Sequence, residues 1–372
     1  MQDDTERKAE SRRAVRLVAL CALVALVLYG LLGLVTTDDA YLVRLGRYKE
    51  VEFIAADVRS FDRSAYGDRP IVWILGSSIT RDAYDVEQVE RRLHAAGSDV
   101  AVVKFAYNRG ASLFTRALVR QLPVRAGDTV VTSITYDNFR SDWLTNSDFT
   151  KYGQTLLNPS ELMEQEELAY ATRLEWSLAA TPPSHFHQNR DELGWGLLKS
   201  VSNLTGWKSQ KIKKNVKYQP YTRTNGVSRR DAKSGWALPN DQMLLTAGQS
   251  NYDALWHLRD DLRAANVPFL VLSIPHNPWY YQDYIDEPTV ERFHDHFDAS
   301  DLDYVRLMPR SRQAFYDYKH PNTKARKALS NELADVLSVR LDLPVPEHTG
   351  AKSLAAAHDD VPAVLWRPPG GE

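Results

Sequence analysis

Two places in this chain hold residues that together can perform nucleophilic chemistry. Ser78 ends a short apolar run, Ile71 to Leu75, through the turn Gly76-Ser77-Ser78, and Asp317-Tyr318-Lys319-His320 lies near the C-terminal end. A serine hydroxyl is a weak nucleophile until a base takes its proton, and a histidine is a suitable base near neutral pH. Asp317 stands three residues before His320, close enough to bond the imidazole and fix its tautomer. The tetrahedral oxyanion of acyl transfer then needs donors. The candidates are the backbone N–H of Ser78, that of Gly110, and a side-chain amide at Asn138, with Asp137 the alternative occupant of that third block. Gly110 suits the role because, without a Cβ, its N–H can approach a substrate closely.

Other polar and aromatic residues fall near these blocks. Asn108, His276, Trp279 and Tyr280 are the substrate-binding candidates, with Tyr281 and Tyr284 extending an aromatic stripe. That stripe reads either as the lining of an acyl or sugar pocket or as half-buried packing, and His276 reads alternatively as a turn histidine. His185 and His187 lack nearby acidic or thiol ligands, so they read as a solvated loop and not as a metal site. The acyl chemistry needs no metal and no cofactor. Lys208, Lys211, Lys213, Lys214 and Lys217 form a basic stretch that reads as a solvated face or as a hold on an anionic polymer or lipid headgroups. The single cysteine, Cys21, excludes internal disulfides and a thiolate metal cluster, and a net charge of −2 gives no reason to expect nucleic-acid binding.

The elements that must position these groups alternate. Strands are predicted at Ile71 to Leu75, Val100 to Tyr107, Thr129 to Thr135 and Pro268 to Pro275, with a short one at DYVRL. Helices are predicted for DVEQVERRLHAAG, SLFTRALVRQL and YDALWHLRDDLRAANV, and finally from about Thr323 to Leu341. Such alternation implies an α/β fold, a parallel sheet covered on both faces, with ligands collecting outside the C-terminal ends of its strands. Residues 140–249 break the alternation and read as a helical insertion over that edge, carrying helical patches at SELMEQEELAYATRLEWSL and ELGWGLLKSVSNL.

From Leu17 to Val35 the chain is uncharged and apolar, long enough to span a hydrocarbon core of ~30 Å. The TTDDA that follows is a poor cleavage site, which favours an uncleaved transmembrane anchor. Arg7, Lys8, Arg12, Arg13 and Arg16 precede the span, against Arg44, Arg47 and Lys49 after it, which keeps the N-terminus cytoplasmic and the rest outside. The expected organisation is a cytoplasmic segment at 1–16, the anchor at 17–35, a linker at 36–70, a catalytic domain at 71–342 and a disordered tail at 343–372.

The order of the blocks resembles the SGNH (GDSL-like) hydrolase superfamily: Gly76-Ser77-Ser78, then Asn108-Arg109-Gly110, then Tyr136-Asp137-Asn138, then Asp317-Tyr318-Lys319-His320-Pro321. Ser77 departs from the usual aspartate, and the G-S-S form together with FLVLSIPHNPWYYQDY resembles the membrane-anchored DltD-like and polysaccharide O-acetylation branch. The resemblance covers roughly Ile71 to Thr135 and Tyr252 to Leu341. It implies a flavodoxin-like three-layer fold of the SGNH type and a Ser78–His320–Asp317 triad. It also implies an extracytoplasmic O-acyltransferase or esterase acting on acetyl or D-alanyl-like groups of a cell-envelope polysaccharide. A multi-span membrane-bound O-acyltransferase would be its partner. The alternative is a non-catalytic accessory of the same fold that binds glycan or scaffolds such a complex.

Overall fold

The structure is a computed structural model that describes residues 15–31, 57–107, 110–139, 156–157, 159–166, 168–179, 249–280 and 287–342. It divides into two compact units, one of Met1–Ala56 with Leu157–Lys217 and one of Asp57–Leu156 with Tyr218–Glu372.

The second unit is an α/β fold around five parallel strands: β1 (Ile71–Ser77), β2 (Ala101–Tyr107), β3 (Thr129–Ile134), β4 (Phe269–Ser273) and β5 (Asp303–Arg306). Their order across the sheet is β2-β1-β3-β4-β5. Between the strands run α1 (Ser78–Ala83), α2 (Val86–Ala95) and α3 (Ser112–Gln121). Every residue of β1 is buried, as the unbroken apolar run requires of a central parallel strand. The period-two pleat sends Val72 and Ile74 to one face, where they pack with Val89 and Leu93 of α2. Trp73 points the other way, against the rings of Phe61 and Phe105.

The chain returns from the insertion through α6 (Ser250–Ala264), preceded inside the insertion by α4 (Pro159–Met163) and α5 (Tyr170–Ala179). It then adds α7 (Glu287–Asp298) and closes with α8 (Thr323–Arg340). Leu329, Leu333 and Leu337, spaced at four, lay one face of α8 on the Val72 side of the sheet. On the opposite face Leu255 of α6 and Val290, Phe293 and Phe297 of α7 pack against Ile134 and Val271. All predicted strands are present, most of them starting or ending within a residue or two of the predicted bounds. The edges differ where hydrogen bonding outruns hydrophobicity: β1 continues through Gly76 and Ser77 because β2 supplies partners there.

Residues 57–70, expected within a linker, belong to the sheet's unit. Arg63 reaches from a 3₁₀ turn (Arg63–Tyr66) to the buried carboxylate of Asp128, at 2.7 and 2.8 Å. In the first unit, the Ser177 hydroxyl donates to the Pro159 carbonyl at 2.8 Å and Arg173 to the Met163 carbonyl at 2.8 Å, tying α5 to α4. The chain is also helical over 15–31. Among the described residues no helix is long and apolar enough to cross a membrane, and 32–35, the rest of the expected anchor, lie outside them. The 343–372 tail, Lys208 to Lys217, His185 and His187 also lie outside the described residues.

Candidate active site

Ser78 stands where β1 becomes α1, next to the point where the sheet order reverses between β2 and β3, which is where open α/β sheets form their ligand crevice. The turn is made by its neighbours. Ser77 caps α1, its Oγ accepting from the Ile79 N–H at 3.3 Å while the Thr80 Oγ1 accepts from the Ser77 N–H at 3.2 Å. Serine is among the strongest N-caps, so this turn is well supported. Gly76 is obligatory by space: a Cβ there would lie 2.3 Å from Thr80 Oγ1. As the first helical residue, Ser78 keeps a backbone N–H outside the intrahelical ladder.

Asp317 and His320 sit in a tight loop before α8. Its stem is closed by an antiparallel bridge between Phe315 and Pro321, by the Tyr316 N–H to the His320 carbonyl at 3.1 Å, and by the Asn322 N–H to the Ala314 carbonyl at 2.8 Å. Inside the loop Asp317 Oδ1 accepts the N–H groups of Lys319 (2.8 Å) and His320 (2.7 Å). Its Oδ2 faces His320 Nδ1 at 2.7 Å, and His320 Nε2 faces Ser78 Oγ at 2.9 Å. Residues 242 positions apart thus form one hydrogen-bonded chain from carboxylate to hydroxyl. Burial by itself would push the Asp317 carboxyl up. The His320 bond, the electrostatic influence of that ring and the two backbone N–H groups outweigh it and hold the carboxyl below its usual value. The carboxylate therefore stays ionised, and with Nδ1 held as its donor, Nε2 is left to accept from the serine.

In the third block the structure describes the side chain of Asn138. Its backbone N–H donates to the Thr135 carbonyl at 3.0 Å, and its Oδ1 accepts from the Thr135 N–H at 2.6 Å and the Thr135 hydroxyl at 3.2 Å. The side chain is 1% exposed, and its Nδ2 finds no acceptor among the described residues. A buried amide with its oxygen satisfied and its N–H₂ waiting is what an oxyanion donor requires. Of Asp137 only the backbone, in the 3₁₀ turn Tyr136–Phe139, is described.

Gly110 has a different reason for being glycine than approach to a substrate. A Cβ there would lie 2.5 Å from the Tyr107 ring and 2.7 Å from the Gly76 carbonyl oxygen, so the second block packs directly on the backbone of the first. Its N–H already donates to the Tyr107 carbonyl, at 3.3 Å. Asn108 lies outside the described residues.

The aromatic stripe divides. His276 and Tyr280 are buried and stack face to face at 4.7 Å, which commits one face of each ring to packing, and Lys319 places its ammonium 5.4 Å from the Tyr280 centroid. Trp279 is half-buried beneath the Arg312 guanidinium, 5.6 Å away. Tyr281 and Tyr284 lie outside the described residues.

Three residues that sequence reasoning missed complete the setting. Asn277, fully buried, donates its N–H to the Tyr318 carbonyl at 3.0 Å and its Nδ2 to the Asp317 carbonyl at 3.2 Å, clasping the Asp317–His320 loop from the end of β4. Tyr316 lays its ring on the His320 imidazole, and Asp82 holds the Tyr316 hydroxyl at 2.7 Å. No local signal marks Asn277. The only hint for the other pair is their symmetric spacing, Asp82 four after Ser78 and Tyr316 four before His320. No family model matches the chain, and no curated protein matches it.

Proposed function

We propose that the chain is a serine-dependent O-acyltransferase or carbohydrate esterase of the SGNH type, and the observation that carries this is the Ser78–His320–Asp317 chain at the strand ends. Ser78 Oγ attacks the carbonyl carbon of an ester or thioester as its proton passes to His320 Nε2. The carbonyl oxygen becomes an oxyanion facing the Asn138 amide and the Ser78 N–H. Collapse breaks the bond to the leaving group, which takes the proton from His320, and leaves an acyl-Ser78 ester. An acceptor hydroxyl, deprotonated by His320, attacks that ester and restores the serine. A glycan hydroxyl as acceptor makes the reaction a transfer, and water makes it a hydrolysis.

The resemblance of the blocks to the DltD-like and polysaccharide O-acetylation branch supports a cell-envelope glycopolymer as acceptor and a multi-span membrane-bound O-acyltransferase as the source of acyl groups. The apolar run 17–35 supports an anchor that keeps the domain extracytoplasmic beside that source, where tethering raises effective concentration. Within it, Leu17, Leu20, Leu23, Leu26 and Leu31 are each more than half exposed, as side chains destined for lipid would be. One observation favours the accessory reading: the Gly110 N–H is occupied by Tyr107, which leaves the oxyanion one donor fewer.

Intact mass spectrometry of the full-length protein in detergent, after reaction with p-nitrophenyl acetate, separates the two. The enzyme reading expects an acetyl adduct on the wild type and none on Ser78→Ala. An adduct that persists undiminished in Ser78→Ala sinks the mechanism, and glycan binding without any adduct supports the accessory.

A further inference from the structure

His320 is held at the two ends of its ring, by Asp317 Oδ2 at Nδ1 and by Ser78 Oγ at Nε2. The bond directions of the two ring nitrogens are not collinear. A roll of the imidazole about its Cβ–Cγ bond therefore swings the Nε2 lone pair away from the hydroxyl, and the two hydrogen bonds resist that roll only in part. Tyr316 adds a restraint on the face of the ring. Its ring lies 9° from parallel with the imidazole, with centroids 5.5 Å apart.

The plate is itself bolted down. The Tyr316 hydroxyl donates to Asp82 Oδ2 at 2.7 Å, and the Asp82 carboxylate, 1% exposed, also takes Arg81 Nε at 3.1 Å with Arg326 3.9 Å away. Arg326 reaches the same residue's carbonyl at 2.8 Å. Burial first, then the charge and hydrogen bond of Asp82, push the Tyr316 phenol above its usual range, so it remains a donor. Asp82 sits one helical turn after Ser78 on α1, and Tyr316 precedes His320 by the same four residues. Two rungs therefore join the same two segments, one reactive (Ser78–His320) and one inert (Asp82–Tyr316).

We propose that Tyr316, fixed by Asp82, is the positioning residue of His320, setting the roll of the imidazole and the separation of base from nucleophile. The proposal rests on the reading of Ser78 as the nucleophile. A misplacement of about 1 Å in such a pair costs about 10²-fold in rate.

The test uses the full-length protein in detergent with p-nitrophenyl acetate, and follows kcat, KM and thermal melting. Tyr316→Leu removes plate and bolt, and should lower kcat about 10²-fold with KM within about twofold, because the lost interaction matters in the transition state. Tyr316→Phe keeps the plate and should lose only about tenfold. Asp82→Asn keeps an oxygen for the phenol and should recover most of what Asp82→Ala loses. A folded Tyr316→Leu with wild-type kcat overturns the proposal, as does a loss of kcat no larger than the loss of folded protein. Nitrogen-15 spectra of histidine-labelled protein, with the His320 signals assigned from His320→Ala, give a readout independent of turnover. The two ring-nitrogen shifts should move toward each other in Tyr316→Leu, as the Nδ1–H tautomer loses its preference. Unchanged shifts overturn the proposal even if the wild type is never acylated. Absence of an acyl adduct on the wild type instead removes the enzymatic reading and leaves the positioning of His320 to the spectra.

Discussion

Each end of the sheet holds a carboxylate, buried at one end and half-buried at the other, and the two are used differently. At the N-terminal edge Asp128, 1% exposed, takes both arms of the Arg63 guanidinium (2.7 and 2.8 Å), the Ile71 N–H (2.9 Å), the Trp73 indole (3.0 Å) and the Arg125 N–H (3.1 Å). Burial alone would raise its pKa, and those donors together hold it below the usual value. At the C-terminal edge Asp317 takes two backbone N–H groups on one oxygen and the His320 ring on the other, and the ring leads on to Ser78. Asp128 ends a network whose donors have nowhere further to pass a proton. Asp317 begins a chain whose last member is an ionisable base in contact with a hydroxyl. A closed network contributes stability, whereas the chain is arranged so that a proton can move along it.

Substitutions at the two aspartates separate those roles most sharply. Asp317→Asn should cut turnover of an activated ester by as much as ~10⁴-fold by favouring the wrong imidazole tautomer, while the melting temperature stays near the wild-type value. A large loss of stability there would mean that Asp317 belongs with Asp128. Asp128→Ala should do the converse. It strands the Arg63 guanidinium, 12% exposed, and costs about 3–5 kcal/mol by urea denaturation, with ester turnover per folded molecule unchanged. Loss of turnover beyond the loss of folded protein would break the division between the two edges.

If Asn138 is the oxyanion donor of the proposed reaction, Asn138→Ala should be milder, about 10²–10³-fold in kcat, the usual effect of one missing donor. An equal loss of stability and turnover would reassign Asn138 to the Thr135 turn that its Oδ1 also braces.

The smallest expected effect is pH-dependent. Burial first, then the charges of Arg306 and His276, bring His294 down to about 3 from its ordinary 6.5. Its neutral form, with Nδ1 2.7 Å from the Tyr304 hydroxyl, is the one the fold accommodates. Because the unfolded chain binds that proton more readily, the stabilisation is complete above pH ~6.5 and is lost as pH falls toward ~3. Between pH 7 and 5, above the range of ordinary carboxylates, the loss should reach at most ~2 kcal/mol in urea titrations. His294→Gln should flatten that slope; an unchanged slope assigns it to other groups.

Much of this was legible in the residues because it is local. The strand cores are apolar runs with β-branched residues, and α8 declares itself by Leu329, Leu333 and Leu337 on one face. Ser78 could be placed at a strand end, and Asp317 and His320 in reach of each other, because in each case a few neighbouring residues suffice. Gly110 was legible as a close approach, but not as an approach to Gly76 and Tyr107, which are brought there by the β1–β2 register. Tyr280 and His276 could be read as a pocket wall; the ring of Tyr280 instead meets Tyr318 and Lys319, some forty positions away.

Sequence alone determined the alternation of strands and helices, the polar groups at the strand ends and the Asp317–His320 pair, since hydrophobic periodicity and turn chemistry act over a few residues. Only the tertiary structure decided which of those groups meet. The strand order, the 2.9 Å contact between Ser78 and His320 and the Asp82–Tyr316 rung depend on packing α1 against the loop before α8. Contacts between segments more than two hundred residues apart are fixed by burial of the whole core, and no short stretch of sequence encodes them.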